Sequence, residues 1–125
     1  MNENELSYKI IGVAIDLHRN IGAGLLESVY EHALAYDLKE MGLQVAQQVA
    51  MPFNYKGVHM DVGYRIDLLV NNSVIVELKS VEIVAPVHFS QTLTYLKLSE
   101  KKLALLINFN TPVLKDGIHR IVNNL

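Results

Sequence analysis

The stretch "SVIVELKSVE", Ser73 to Glu82, decides how the rest of the chain is read. Val74, Ile75 and Val76 are β-branched and apolar, as a buried β-strand requires. Glu77 and Lys79 then stand where a core pattern would continue with aliphatics. On a strand the side chains repeat with a period of two, so these two charges project from one face. The acid-x-lysine pattern alone means little, since average composition yields about one such match in a chain this long. Two further copies occur here, Asp37-Leu38-Lys39 and Glu100-Lys101-Lys102. The first falls on a predicted helix, where residues two apart lie ~200° around the axis and cannot share a substrate. The second falls in a polar stretch after a predicted helix and reads as a solvated turn. Only Glu77 and Lys79 make a site.

A second carboxylate lies within reach. Asp67, in "YRIDLLV", precedes the turn "NNS". If Asn71-Asn72-Ser73 is a three-residue loop, Val70 pairs with Val74 and Asp67 falls opposite Glu77. Directly opposed residues share a face with Cβ atoms ~5 Å apart. A two-residue loop would instead send the two carboxylates to opposite faces. Two like charges this close repel, and a divalent cation is the usual remedy.

Outward from this hairpin, apolar Leu6, Ile10, Val13, Ala14 and Leu17 recur at helical spacing from Asn4 to Asn20. Gly22 and Gly24 break that helix. A second helix is predicted over Leu26 to Met41, with Leu26, Tyr30, Ala33, Leu34 and Met41 near one face and Gly42 as its stop. "LQVAQQVAMPFNY" and "VHMDVGYRIDLLV" are strand-rich and divided by Lys56-Gly57, which predicts a hairpin. Pro86 opens a third helix, to Ser99. "KLALLINF" is a continuous apolar run, as in a strand covered on both faces. "TPVLKDGIHRIVNNL" is read as a closing helical turn. The predicted order is α-α-β-β-β-β-α-β-α, an α/β mixed sheet flanked by helices, in a single domain over residues 1–125.

Composition narrows the function classes. Half of the 125 residues are hydrophobic and 19% are charged, which argues against disorder. The absence of cysteine removes disulfide frameworks and thiolate metal sites. The polar, acidic start "MNENELSYK" is unlike a secretory signal, and no apolar run approaches the ~20 residues of a membrane span. A soluble protein of a reducing cytoplasm, without membrane contact, is expected. The net charge of −2 leaves no basic surplus for phosphate neutralisation. Any nucleic-acid contact must therefore come from a local cluster or a metal ion. Lys97, Lys101, Lys102, Lys115 and Arg120 could form a weak phosphate rim or simply a solvated face. The five histidines show no ligand spacing and read mostly as surface or loop residues, with His88 the one that could border a cleft.

Asp67, Glu77 and Lys79 together resemble the metal site of the PD-(D/E)XK phosphodiesterases. Within that superfamily the chain is similar to the small GxxExxY proteins, whose motif stands here as "GLLESVY", Gly24, Glu27 and Tyr30. The similarity extends over "GYRIDLLV", "VIVELKSVE", "HFSQTLTYLKL" and "LLINFN". One departure is that Ile66, not proline, precedes Asp67. The resemblance implies the restriction-endonuclease-like core, α-β-β-β-α-β, here with an extra N-terminal helix. It implies Mg²⁺ or Mn²⁺ held by Glu27, Asp67, Glu77 and the backbone carbonyl of Leu78, since hard cations prefer oxygen. It gives Lys79 the task of orienting or deprotonating the attacking water, or of stabilising the transition state. Gln91 and Tyr95 match the Q-x-x-x-Y motif of recombination-type nucleases, in which the glutamine helps to position the lysine or the substrate.

Each residue also has a plainer reading. Glu27 suits the first turn of any helix. Asp67, Glu77 and Lys79 could be a structural ion cluster, although two carboxylates facing one lysine leave a charge unpaired. Gln91 and Tyr95 could be an ordinary helix pair, and Tyr30 a core residue. Two function classes follow. One is a metal-dependent nuclease acting on DNA or RNA, as favoured by the complete Asp67–Glu77–Lys79 set. The other is an inactive nuclease-fold protein working as an interaction or assembly module. The near-neutral charge and small size point to the second class, or to an enzyme that grips its substrate with a partner or as a homodimer.

Overall fold

The computed structural model describes residues 1–61 and 63–125. Helix α1 covers Glu3–Ile21, α2 Glu27–Glu40 and α3 Pro86–Ser99. The strands are β1 (Val45–Ala50), β2 (Phe53–Tyr55), β3 (Val58–Met60), β4 (Arg65–Val70), β5 (Val74–Lys79), β6 (Leu103–Asn108) and β7 (Ile118–Val122). Five of them form one sheet in the order β1-β4-β5-β6-β7, and β2 and β3 form a separate ribbon. The β5–β6 pair is parallel and the other pairs are antiparallel. This is the mixed, helix-flanked α/β architecture expected from the sequence.

The start of α1 is fixed by Asn2, whose side chain accepts the Glu5 N–H at 2.8 Å, while Glu5 reaches back to the Asn2 N–H. Its Leu6, Ile10, Ala14 and Leu17 are buried against one face of the sheet, together with Tyr30, Leu34, Ala35 and Leu38 of α2. The facing side chains are Leu68 and Val70 on β4, Val74, Val76 and Leu78 on β5, and Leu103, Leu105 and Ile107 on β6. On the opposite face, Ile75 and Ala104 pack under Tyr95 and Leu96 of α3. Both faces of β6 are thus covered, which is why it reads as an unbroken apolar run.

Several expectations are corrected. The two long strand-rich segments are each interrupted. Pro52 lacks an N–H for a ladder, and β1 ends before it. The second segment pauses between Met60 and Arg65, and Val62 within it lies outside the described residues. Leu26 and Met41 are exposed, since the buried stripe of α2 runs through Tyr30, Leu34 and Leu38 instead. His18 is buried beside Phe109, with ring centroids 6.2 Å apart, rather than lying at the surface. The C-terminal segment makes a short 3-10 turn, Leu114–Gly117, and then an edge strand, β7, in place of a helical ending. Gly117 permits this: a Cβ there would lie 2.2 Å from the Asn108 carbonyl oxygen. The close pass brings Ile118 opposite Ile107 and starts the β6–β7 ladder.

No helix among the described residues is long and apolar enough to cross a membrane.

Candidate active site

The β4–β5 register runs Val70↔Val74, Leu69↔Ile75 and Leu68↔Val76, as a three-residue turn requires. Asn71 and Asn72 in that turn both take positive φ, near 50°, a region asparagine tolerates better than most residues. The next pair along is Asp67 and Glu77, and here side chains replace the backbone ladder. The Asp67 N–H donates to Oε1 of Glu77 at 3.3 Å, and the Leu78 N–H donates to Oδ2 of Asp67 at 2.9 Å. The strands therefore part at the two carboxylates, and the acids take over the hydrogen bonds.

Glu77 is only 5% exposed, whereas Asp67 is half-buried. Burial first, then the charge of Asp67, pushes the Glu77 carboxyl up from 4.5 to about 9, and Lys79 opposes this only weakly. At neutral pH Glu77 accordingly keeps its proton, because two bare carboxylates in contact repel. A cation at this point would take over the proton's role. The donors are all oxygen, as a hard cation prefers, and Mg²⁺ commonly uses one or two carboxylates with water in its other positions. Among the described residues no three His, Asp or Glu side chains are grouped to hold a metal by themselves.

Lys79 is half-buried and, two residues after Glu77 on the same strand, shares its face. The chain leaving it is pinned. Lys79 pairs in register with Asn108, and its carbonyl accepts the Phe109 N–H at 2.9 Å. The buried Asn108 side chain accepts the N–H of Val81 at 3.1 Å and donates to the Val81 carbonyl at 2.8 Å. A single asparagine thus holds the exit of the lysine strand, and it escapes sequence reading because "NFN" carries no distinctive spacing.

The "GLLESVY" segment docks at the same end of β5. Gly24 sits at φ +92, a conformation that side chains avoid, so the turn after α1 closes tightly. Tyr30 is fully buried and stacks on Phe109, and its hydroxyl donates to the Gly22 carbonyl at 2.6 Å and accepts the Leu25 N–H at 3.2 Å. Tyr30 is therefore a core residue that also shapes the loop leading into Glu27. That loop meets Ser80: the Ser80 hydroxyl donates to the Leu25 carbonyl at 2.7 Å, and its N–H donates to the Glu27 carboxylate at 3.2 Å. Glu27 thus lies one residue beyond Lys79, against backbone.

From the opposite face α3 brings Tyr95 over the acids, close enough for Glu77 and Asp67 to act on its hydroxyl. Burial first, then Glu77, raises the Tyr95 pKa, which keeps that hydroxyl protonated. The Gln91 amide donates to it at 2.9 Å, so the two expected helix residues do act together. Tyr64 packs edge-on against the Tyr95 ring, with centroids 6.1 Å apart. His88 has local work: its Nδ1 accepts the Ala85 N–H at 3.0 Å and closes the first turn of α3. Two members of the suggested cationic rim are engaged elsewhere. Lys101 donates to Asn72, at the turn end of the β4–β5 hairpin, and Arg120 donates to Asn4.

Sequence reading missed Glu31, Gln47 and Gln48. Glu31 is 7% exposed and receives both glutamine amides, Gln47 at 3.1 Å and Gln48 at 2.6 Å. Gln48 also reaches Oδ1 of Asp67 at 3.3 Å. The available signal was Glu31 itself, which follows Glu27 by four residues and so shares its helix face.

No curated protein and no solved structure gives a significant match to the chain. The model of the PD-(D/E)XK nuclease superfamily, by contrast, matches residues 4–121, a span that takes in α2, α3, nearly all of α1, both carboxylates and Lys79. That match covers nearly the whole fold, and the chain belongs to the PD-(D/E)XK nuclease superfamily.

Proposed function

We propose that the protein is a metal-dependent nuclease that hydrolyses phosphodiester bonds of DNA or RNA. The observation that carries this reading is the contact of Asp67 with Glu77 where β4 and β5 part, with Lys79 on the same face. Asp67 and Glu77 would hold Mg²⁺ or Mn²⁺, with the Leu78 carbonyl as a further oxygen and Glu27 adding negative charge at the same end of β5. When bound, the ion lowers the pKa of a coordinated water and offsets charge on the phosphate. Lys79 orients the attacking water and faces the charge that grows on the phosphoryl oxygens. Gln91 fixes the Tyr95 hydroxyl, which stays protonated beside Glu77 and can donate to the substrate.

Thermal unfolding with added Mn²⁺ or Mg²⁺ tests the reading. Metal at a hundred times its Kd stabilises by about 2.7 kcal/mol. The wild type should show that gain, and Asp67→Asn and Glu77→Gln should abolish it. A nicking assay on plasmid and on single-stranded RNA completes the test. A second reading, a non-catalytic interaction or assembly module, draws support from the internal hydrogen bonds of Asp67, which take up both of its carboxylate oxygens. A wild type with neither metal stabilisation nor cleavage would favour it.

A further inference from the structure

Successive side chains of an extended strand point to opposite faces. Gln47 and Gln48 are adjacent on β1, yet both amides reach the one buried carboxylate of Glu31. The backbone of Gln48 makes this possible. Its φ is +51, a left-handed conformation uncommon for a residue with a side chain. The register of β1 on β4 runs Gln47↔Leu68 and Val49↔Ile66, so Gln48 stands opposite Asp67. The Nε2 of Gln48 has two hydrogens to give, and it meets Oε1 of Glu31 at 2.6 Å and Oδ1 of Asp67 at 3.3 Å. Gln47 holds the other Glu31 oxygen at 3.1 Å and the His32 ring nitrogen at the same distance. Glu31 is therefore clamped, and its hold on Gln48 fixes the amide that faces Asp67.

We propose that Gln48 and Glu31 are positioning residues of the Asp67–Glu77 site, with the left-handed backbone at Gln48 placing its amide between Glu31 and Asp67. The proposal rests on the nuclease reading for its purpose but not for its geometry. Glu31 orients the Gln48 amide, and Gln48 sets the rotation of the Asp67 carboxylate. That rotation decides whether Oδ2 accepts the Leu78 N–H. A strained backbone conformation kept in place by surrounding hydrogen bonds is a recognised mark of such a role.

The readout is hydrogen exchange at the Leu78 amide in metal-free protein, compared among wild type, Gln48→Gly and Glu31→Gln. Glycine accepts the positive φ, so Gln48→Gly removes the amide without stressing the strand. Positioning predicts Leu78 exchange faster by about tenfold in Gln48→Gly, with a smaller rise in Glu31→Gln and with melting temperatures close to wild type. A lowered melting temperature with Leu78 protection unchanged would assign both residues to strand packing and overturn the proposal. Mn²⁺ affinity, read by thermal shift on the same variants, should weaken in parallel with Leu78 protection. If the wild type binds no Mn²⁺, the nuclease reading fails while the Leu78 measurement still decides the role of Gln48.

Discussion

Tyr30 lies flat on Phe109, with ring centroids 4.3 Å apart and planes 13° from parallel. The stack joins the "GLLESVY" helix to the end of β6, the strand whose Asn108 pins the exit of β5. Two segments far apart in sequence are thereby locked beside Lys79. Tyr30→Phe keeps the stack but strands the Gly22 carbonyl and the Leu25 N–H. Loss of these hydrogen bonds should cost about 1–3 kcal/mol, measured by urea unfolding. Tyr30→Ala should cost about 3–5 kcal/mol.

Stability should depend on pH through Glu77. Its folded pKa, about 9, lies above the ordinary 4.5, so folding favours the protonated form. The resulting stabilisation is present in full below the ordinary value and is lost as pH rises towards about 9. With metal chelated, stability should fall as pH rises between these limits, as the release of one proton requires. Glu77→Gln, which cannot ionise, should flatten the profile. A flat wild-type profile in the same buffers would mean that the acid pair is not coupled as described.

Lys79→Ala should separate binding from chemistry. Cleavage should fall by about 10²–10⁴-fold, the range for a positioned proton-transfer group. Stabilisation by Mn²⁺ should persist, since Asp67 and Glu77 remain. Joint loss of both in this variant would make Lys79 a structural partner of the acids.

Gly117→Ala tests the close pass beneath β7. The added Cβ would meet the Asn108 carbonyl oxygen at 2.2 Å, a backbone atom that cannot swing aside. Strain of this sort should lower stability by about 1–3 kcal/mol and loosen the Asn108 hold on Val81. Denaturant melts report the first effect, and amide exchange at Val81 the second.

The sequence carried the site where local rules govern it. "NNS" between two apolar runs offered two registers, and the three-residue one adopted here brings Asp67 and Glu77 together. Proline at the start of α3 and the unbroken apolar run of β6 were equally plain. The edge strand β7 was not, because its formation depends on Gly117 passing against a backbone atom nine residues earlier. Gln48 was hidden for a similar reason. Nothing in "VAQQVA" announces a left-handed glutamine, since only Glu31, reached through the fold, gives that conformation a use. Charge alone left Lys101 and Arg120 as either a rim or a solvated face, and the fold gives them Asn72 and Asn4 as partners.

The sheet is assembled from contacts of very unequal range, and this bears on the order of folding. Asp67 and Leu78 are 11 residues apart, Glu31 and Gln48 are 17, and Glu27 and Ser80 are 53. Short loops close at the least entropic cost, so the β4–β5 hairpin is expected to form ahead of the docking of α2. The two acids then meet early, before either helix glutamate arrives, and a proton or a cation would ease their repulsion. Pulse-labelled exchange during refolding should find Leu78 protected ahead of Ser80, and dissolved Mn²⁺ should hasten that first step.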